Sequence, residues 1–540
     1  MSRDSFDYII VGGGSAGCVL ANRLSENPSV SVALIEAGGE HNQFLINMPL
    51  GYGKTVYSPK YSWDMHTEPE PGSGNRTFYL PRGRVLGGSS SINGLLYIRG
   101  QHQDYDDWAA AGATGWGWED VKPYFIKSED QCRGEDEWHG ADGLLSVDDA
   151  RDTYPIENAL IEAGINAGLK PCDDFNGASQ EGVGRYQSTM KGGQRWSAAN
   201  AFLDPARSRD NLTVLTGAMA QRVDFTNHRA TGVVVRHRQK QRLLAANREV
   251  LLSAGAFQSP QLLQLSGIGP GRLLQQHGID VLSDCPGVGA NLHDHIGAAM
   301  SWKLKHKTDS LNYKLRFPNL MFEAIRYLFT KRGTMAMPAA SVGIFADSRG
   351  QGGRPDLQYH CLPVTGDLEA EAEQGHMVLD PFPGLTMMPY PTRPRSRGSL
   401  EIRSPDAEVM PAIRMNWFSD PHDMEVLLRG MRLAQRIADT EPLAAFIESR
   451  VYPGSDDDRD DAYIDFVQRY SHVAYHPVGT CRMGSDDASV VDCDLKVRGV
   501  DGLRVVDGSV IPSVPSGNTN APIIMIAEKI SDSIRNTRTG

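Results

Sequence analysis

Near the start of the chain an apolar run, Tyr8-Ile9-Ile10-Val11, passes directly into Gly12-x-Gly14-x-x-Gly17, and a second run, Val32-Ala33-Leu34-Ile35, ends at Glu36. Strand, glycine turn, helix and second strand make a βαβ unit, which binds a dinucleotide pyrophosphate at the helix N-terminus and the ribose hydroxyls on the carboxylate. The spacing from Gly17 to Glu36 is the one such a unit needs, so the N-terminal part is expected to be α/β with a parallel sheet. NAD and FAD fit this unit equally well.

The full chain, at 540 residues, exceeds one ordinary core, so at least two domains are expected. Its 40% apolar and 22% charged residues are ordinary for a soluble globular protein. A net charge of −12 argues against nucleic acid as a partner, since phosphate binding needs clustered Lys and Arg. The seven cysteines form no CxxC pair and are odd in number, which favours reduced thiols. Asp4 and Asp7 lead straight into the first strand with no basic and apolar leader, and no run of about 18 apolar residues follows. The reading is a cytoplasmic protein, with peripheral attachment to the inner membrane left open.

Residues 83–106 carry the most chemistry. Gly83-Arg84-Val85-Leu86-Gly87-Gly88-Ser89-Ser90-Ser91-Ile92-Asn93 continues through Tyr97 and Gly100 to Asp106. Closely spaced small residues and an Asn let the backbone lie flat against a planar ring with its N–H groups free to bond it, which suits a flavin. The Ser89–Ser91 run lacks the GxSxG elbow of a nucleophile and reads as a turn filled by small residues. The stretch with Trp108, Trp116 and Trp118 reads as packing, ahead of a helix starting around Lys122-Pro123.

Three further segments, together with the βαβ unit, resemble the glucose–methanol–choline (GMC) flavoprotein oxidoreductases. The first is the 83–106 stretch. The second is Gly255-Ala256-Phe257-Gln258-Ser259-Pro260-Gln261 through Gly267-Ile268-Gly269. The third is the pair His476-Pro477-Val478-Gly479-Thr480-Cys481-Arg482-Met483-Gly484 and Asp507-Gly508-Ser509 through Gly517-Asn518-Thr519-Asn520-Ala521-Pro522. Within that family the sequence looks most like the bacterial choline, alcohol and sorbose dehydrogenases.

The resemblance implies an α/β fold, α+β overall: a Rossmann-like FAD-binding domain with a second, antiparallel-sheet substrate domain. The FAD domain is expected to be assembled from residues 1–155, 190–296 and 465–540, and the substrate domain from 156–189 and 297–464. FAD would be held through Gly12, Gly14, Ser15, Ala16, Gly17, Glu36 and Ala37. Arg84, Gly87, Gly88, Ser89, Asn93 and Gly94 of the glycine loop would follow, then the backbone near Val223, Ala254, and Asp507, Gly508, Asn520 and Pro522 at the isoalloxazine. No metal is implied, so His293-Asp294-His295 reads as structural, at the edge of the cofactor domain, and His472 likewise. Members with covalent FAD carry His where Ile92 stands, so the cofactor is expected to be dissociable.

His476 is the implied base and Asn520 its partner, although Asn520 and Pro522 also suit the start of a helix. An alcohol proton with a pKa of ~16 lies roughly nine units above neutrality, a cost of about 12 kcal/mol if it leaves before hydride does. An imidazole with an ordinary pKa near 6.5 can take it at the moment of transfer, while an amide hydrogen bond stabilises the oxygen. The helix beginning near Pro522 would favour negative charge on the reduced ring. The expected activity is oxidation of a primary, fairly apolar aliphatic or aromatic alcohol, with electrons passing to a quinone or similar acceptor. An O₂-dependent oxidase, a choline or sugar-alcohol dehydrogenase, a lyase with structural FAD and a non-catalytic flavin protein are the alternatives. The stretch from Met335 to Pro394 is expected to line the substrate pocket.

Overall fold

Ser5–Val11 is the middle of five parallel strands in a seven-stranded sheet, with Val32–Ile35 on one side and the second half of Lys240–Leu252 on the other. Leu212–Leu215 adds in parallel beyond Val32–Ile35, and Leu503–Val505 beyond Val250–Leu252. Ile9, Ile10, Val32, Ala33, Leu34, Val250, Leu251 and Leu252 are all buried, the continuous apolar pattern of strands covered on both faces. Ala218–Thr226, Arg229–His237 and the first half of Lys240–Leu252 complete the sheet as an antiparallel meander. The computed structural model describes residues 4–454 and 458–536. The parts of the expected domain segments at 1–3, 455–457 and 537–540 lie outside them.

The second sheet has six strands, all antiparallel, in the order Ile447–Tyr452, Met300–Leu304, Gly384–Pro391, Leu357–Leu362, Val342–Ala346 and Gly182–Arg185. Pro421–Ala438 packs on it, because Val426, Leu427, Met431, Ala434 and Ile437 form one apolar stripe. Its start is set by Asp420, whose carboxylate accepts the His422 N–H, and by Pro421 in the first turn. The fold is α/β, with this antiparallel sheet laid against the nucleotide-binding one.

Two features of the fold place the site. Ile296–Ala298 pairs antiparallel with Ser471–Val473, so the stretch that carries five of the six strands of the second sheet begins and ends at one point, and 293–296 is brought against 473–478. The C-terminal helix, Asn520–Asn536, packs along Ser15–Leu24, fixed by a buried ion pair between Arg23 and Glu528 at 2.7 Å. The N-termini of these two helices therefore lie side by side. Trp108, Trp116 and Trp118 are buried in the core of the first sheet. The helix expected to start around Lys122 starts at Trp118 instead, with Pro123 inside it.

Candidate active site

A cavity of about 430 Å³ runs between the two sheets, with Glu36 and His476 both in its wall. At the Glu36 end the glycines explain the wall. Gly12 has φ +104°, and a Cβ there would lie 2.4 Å from the Ser253 carbonyl oxygen; one on Gly17 would lie 1.9 Å from the Gly12 oxygen. Only glycine lets the helix start this close to the strand. Glu36 is buried, and its two oxygens accept the N–H groups of Gly13 at 2.9 Å and Gly38 at 2.7 Å. Burial pushes its pKa up to about 7.

The second glycine loop presses on the first. A Cβ on Gly88, at φ +54°, would sit 2.6 Å from the Cα of Gly14. Behind the loop Arg195, 2% exposed, donates to the carbonyls of Ile46, Ser90 and Asn93 and to Asn93 Oδ1 at 2.6–3.0 Å. Among the described residues no carboxylate pairs with it, and burial lowers its pKa to about 9, so it remains a cation at neutral pH.

Of the residues expected to hold the cofactor, Gly12, Gly14, Ser15, Ala16, Glu36, Ala37, Gly88, Ser89, Asn93, Gly94, Ala254, Asp507, Gly508 and Asn520 line the cavity. Gly17, Gly87 and Pro522 do not; they shape the backbone behind it. Arg84 lies outside the wall, its guanidinium 4.6 Å from the centre of the Trp63 ring, which does line it. Val223 is a correction. It is buried in the core with its N–H on Ser266 Oγ at 2.9 Å, and the same strand reaches the cavity earlier, through Ala218, Met219 and Ala220.

At the other end the backbone bends at Tyr475, φ +65°, so that His476 faces the cavity. Such a conformation is costly for a tyrosine and needs clamping. Arg82 donates to the Tyr475 carbonyl at 2.8 Å, and the Asp294 carboxylate accepts the His476 N–H at 2.7 Å. The side chain belongs to a directed chain of hydrogen bonds. His295 Nε2 lies 2.9 Å from the Thr392 carbonyl, which only accepts, so that nitrogen carries the proton and Nδ1 is bare. Bare Nδ1 of His295 lies 3.1 Å from Nδ1 of His476, which must therefore carry a proton, leaving His476 Nε2 as the accepting nitrogen. Asn518 Nδ2 donates to that nitrogen at 3.1 Å, and its Oδ1 accepts from Gln358 at 3.1 Å, which fixes the amide orientation.

Burial holds both imidazoles neutral. His295 is lowered to about 4. His476 is held well below 6.5, by burial first and then by His295, His360 and Arg82.

Two sequence expectations change here, for Asn520 and His472. Asn520 does not face His476: its Oδ1 accepts from Ser15 Oγ at 2.7 Å, joining the two helix N-termini. His293-Asp294-His295, where the chain passes to the second sheet, lies directly behind His476, with Asp294 and His295 both bonded to it. His472, read as structural, lines the cavity. The sequence reading also missed His360, which lines the cavity with Nε2 buried and unpartnered among the described residues. Asp507, by contrast, is fully engaged, accepting from Gly255, Ser259 and Ser509 at 2.5–2.8 Å.

A glycine cradle at paired helix N-termini, running up to a buried neutral imidazole, defines a dinucleotide-dependent oxidoreductase. Residues 6–297 and 394–527 match two family models, each described as GMC oxidoreductase, and the chain belongs to that family. It is 40% identical over 533 residues to the alcohol dehydrogenase [acceptor] of Pseudomonas putida, covering 98% of this chain and 95% of that one. It is 41% identical over 535 residues to the oxygen-dependent choline dehydrogenase of Photobacterium profundum, covering 98% and 93%. The pyridoxine 4-oxidase of Mesorbium loti superposes with a TM-score of 0.88 at 30% identity, over 98% and 99%. FAD is the cofactor, and the close approach of the backbone at Gly14 and Gly88, in a wall that also carries Glu36, fits it.

Proposed function

We propose that this protein oxidises a primary alcohol to the aldehyde, with His476 as base and Asn518 as its partner. The observation that carries the reading is geometric: buried His476, in the cavity wall, has its Nδ1 3.1 Å from His295 Nδ1 and its Nε2 3.1 Å from the Asn518 amide nitrogen. Bound FAD supplies the two-electron hydride acceptor. His476 Nε2 takes the hydroxyl proton, and the Asn518 amide hydrogen-bonds the same oxygen as its charge grows. The His295 relay keeps the proton on Nδ1, so that the accepting nitrogen always faces the substrate. Asp294 and Arg82 hold the bend that aims the ring.

The pocket beside this pair carries Leu362, Val364, Leu379 and Met388, which supports a fairly apolar alcohol, aliphatic or aromatic. Glu371, with Tyr57 and Tyr475, also lines the cavity and favours a second reading, a cationic alcohol such as choline, since a cation is attracted to aromatic faces and a carboxylate. Ile92 lines the wall and offers no nitrogen, so FAD is held without a covalent bond. The electrons pass to a lipid-soluble quinone, with O₂ as the competing acceptor. Seven free cysteines suit a reducing compartment on the cytoplasmic side.

Anaerobic mixing with a panel of primary alcohols and choline should bleach the bound flavin, and His476→Ala should keep FAD yet lose at least ~10²-fold in that rate. Unchanged bleaching in His476→Ala would overturn the assignment. Turnover compared with a dye acceptor and with O₂ alone separates dehydrogenase from oxidase.

A further inference from the structure

Eight of the fifteen large apolar side chains that stand exposed among the described residues lie between Tyr313 and Phe329. They cluster on the helix Asn319–Thr330 and on Phe317 just before it; Phe317 is 82% and Phe329 86% exposed. At roughly 100° per residue, Met321, Phe322, Ile325, Leu328 and Phe329 fall within an arc about 120° wide, a continuous apolar stripe. A surface helix ordinarily turns such a stripe inward. Here the other side is anchored. The Tyr327 hydroxyl donates to the Gly193 carbonyl at 3.3 Å, Glu323 accepts the Thr334 N–H at 3.0 Å, and Arg326 pairs with Asp152 at 3.1 Å. The stripe faces outward because its polar neighbours are tied to the body of the protein.

We infer that this helix docks the protein on the surface of a bilayer rich in anionic phospholipid. Charge selects that occupant. Between residues 305 and 332 stand seven Lys and Arg against two acids, Asp309 and Glu323, in a chain whose net charge is −12. Of the seven only Arg326 has an ion-pair partner among the described residues. A second copy meeting the stripe across a two-fold axis would set these cations against one another. Aromatic and aliphatic side chains framed by unpaired cations match the headgroup boundary of an anionic leaflet. No described helix is long and apolar enough to cross a membrane, so the contact is interfacial.

The position relative to the cavity gives the contact a purpose. Tyr327 packs with Met335 and Ala336 against Met48 and Leu50. The chain runs on from Leu50 to Tyr52, Val56 and Tyr57, which line the cavity, as does Ala339 beyond Ala336. A docked bilayer would lie beside the route to His476, where apolar alcohol and quinone are concentrated. That purpose rests on the proposed alcohol:quinone activity, whereas the surface itself does not.

The test is sedimentation of the FAD-loaded protein with vesicles of phosphatidylcholine, alone or mixed with phosphatidylglycerol. The protein should sediment with the mixed vesicles, and added salt should release it. Phe322→Ser with Phe329→Ser should weaken binding at least about tenfold while dye-linked turnover in solution stays unchanged. Lys331→Glu with Arg332→Glu should abolish the preference for phosphatidylglycerol. The inference is overturned if the parent protein does not sediment, or if both double variants bind as it does. It is equally overturned if sedimentation velocity shows a dimer that Phe322→Ser with Phe329→Ser dissociates. Loss of alcohol turnover with vesicle binding intact would instead defeat the activity assignment alone.

Discussion

Asn518 Nδ2 lies 3.1 Å from His476 Nε2, while Asn520, two residues on, turns the other way and accepts from Ser15 Oγ at 2.7 Å. The two amides therefore have separable duties, one at the reacting oxygen and one between the helix N-termini under the nucleotide. Asn518→Ala should slow anaerobic flavin reduction ~10²-fold with FAD retained. Asn520→Ala should chiefly loosen FAD. Rapid-mixing absorbance and the flavin remaining after gel filtration read the two effects, and the reverse pattern would return the role to Asn520.

The pH dependence follows from the directed hydrogen-bond chain. Only neutral His476 accepts a proton, so activity is full above its pKa and falls as pH drops through it. Burial, then His295, His360 and Arg82, lower that pKa well below 6.5; Asp294, itself pushed up to about 7, accepts the His476 main-chain N–H. The acid limb of kcat/KM should therefore lie below pH 6.5. His295→Leu removes one of these influences and frees the tautomer, so the limb should move up and kcat should drop about tenfold. A parent limb at or above 6.5 would contradict this.

The contrast between these residues and the first glycine turn marks what the sequence could disclose. Gly12, Gly14, Gly17 and Glu36 were legible because a βαβ unit fixes their roles within one short stretch of chain. His295 and His476 are 181 residues apart, and only the pairing of Ile296–Ala298 with Ser471–Val473 brings them together. Asn518 and Asn520 differ by where a helix begins, which residue type leaves open by a position or two. The contact near Val223 came from the family resemblance alone; the strand Ala218–Thr226 meets the cavity a few residues earlier, at Ala218–Ala220, before its register shifts between Ala220 and Arg222.

Gly88 tests the cradle. A methyl group there would meet the Gly14 Cα, a backbone atom that cannot swing away, at 2.6 Å, and at a φ of +54° that side chains disfavour. Gly88→Ala should part the two loops and weaken FAD retention at least tenfold, on the order of 1.4 kcal/mol or more. Gly39→Ala, where an added Cβ meets nothing within 4 Å and φ is not positive, should leave it unchanged. Equilibrium dialysis against FAD distinguishes them, and equal affinities would remove the close approach as a requirement.

Arg195 poses a question of sign. Its removal relieves a buried cation without a counter-ion but strands four acceptors, at Ile46, Ser90 and Asn93, and each effect is worth several kcal/mol. Because they oppose, Arg195→Met should change global stability by less than ~2 kcal/mol in denaturant. The cofactor should feel the loss more, since bound FAD would keep water from the Asn93 carbonyl and amide that the guanidinium now satisfies. FAD affinity should therefore fall in Arg195→Met and recover only in part in Arg195→Lys, which restores the charge but not the planar set of donors. Full recovery with lysine would mean that the charge alone matters, and the loop geometry argued for Asn93 would have to be given up.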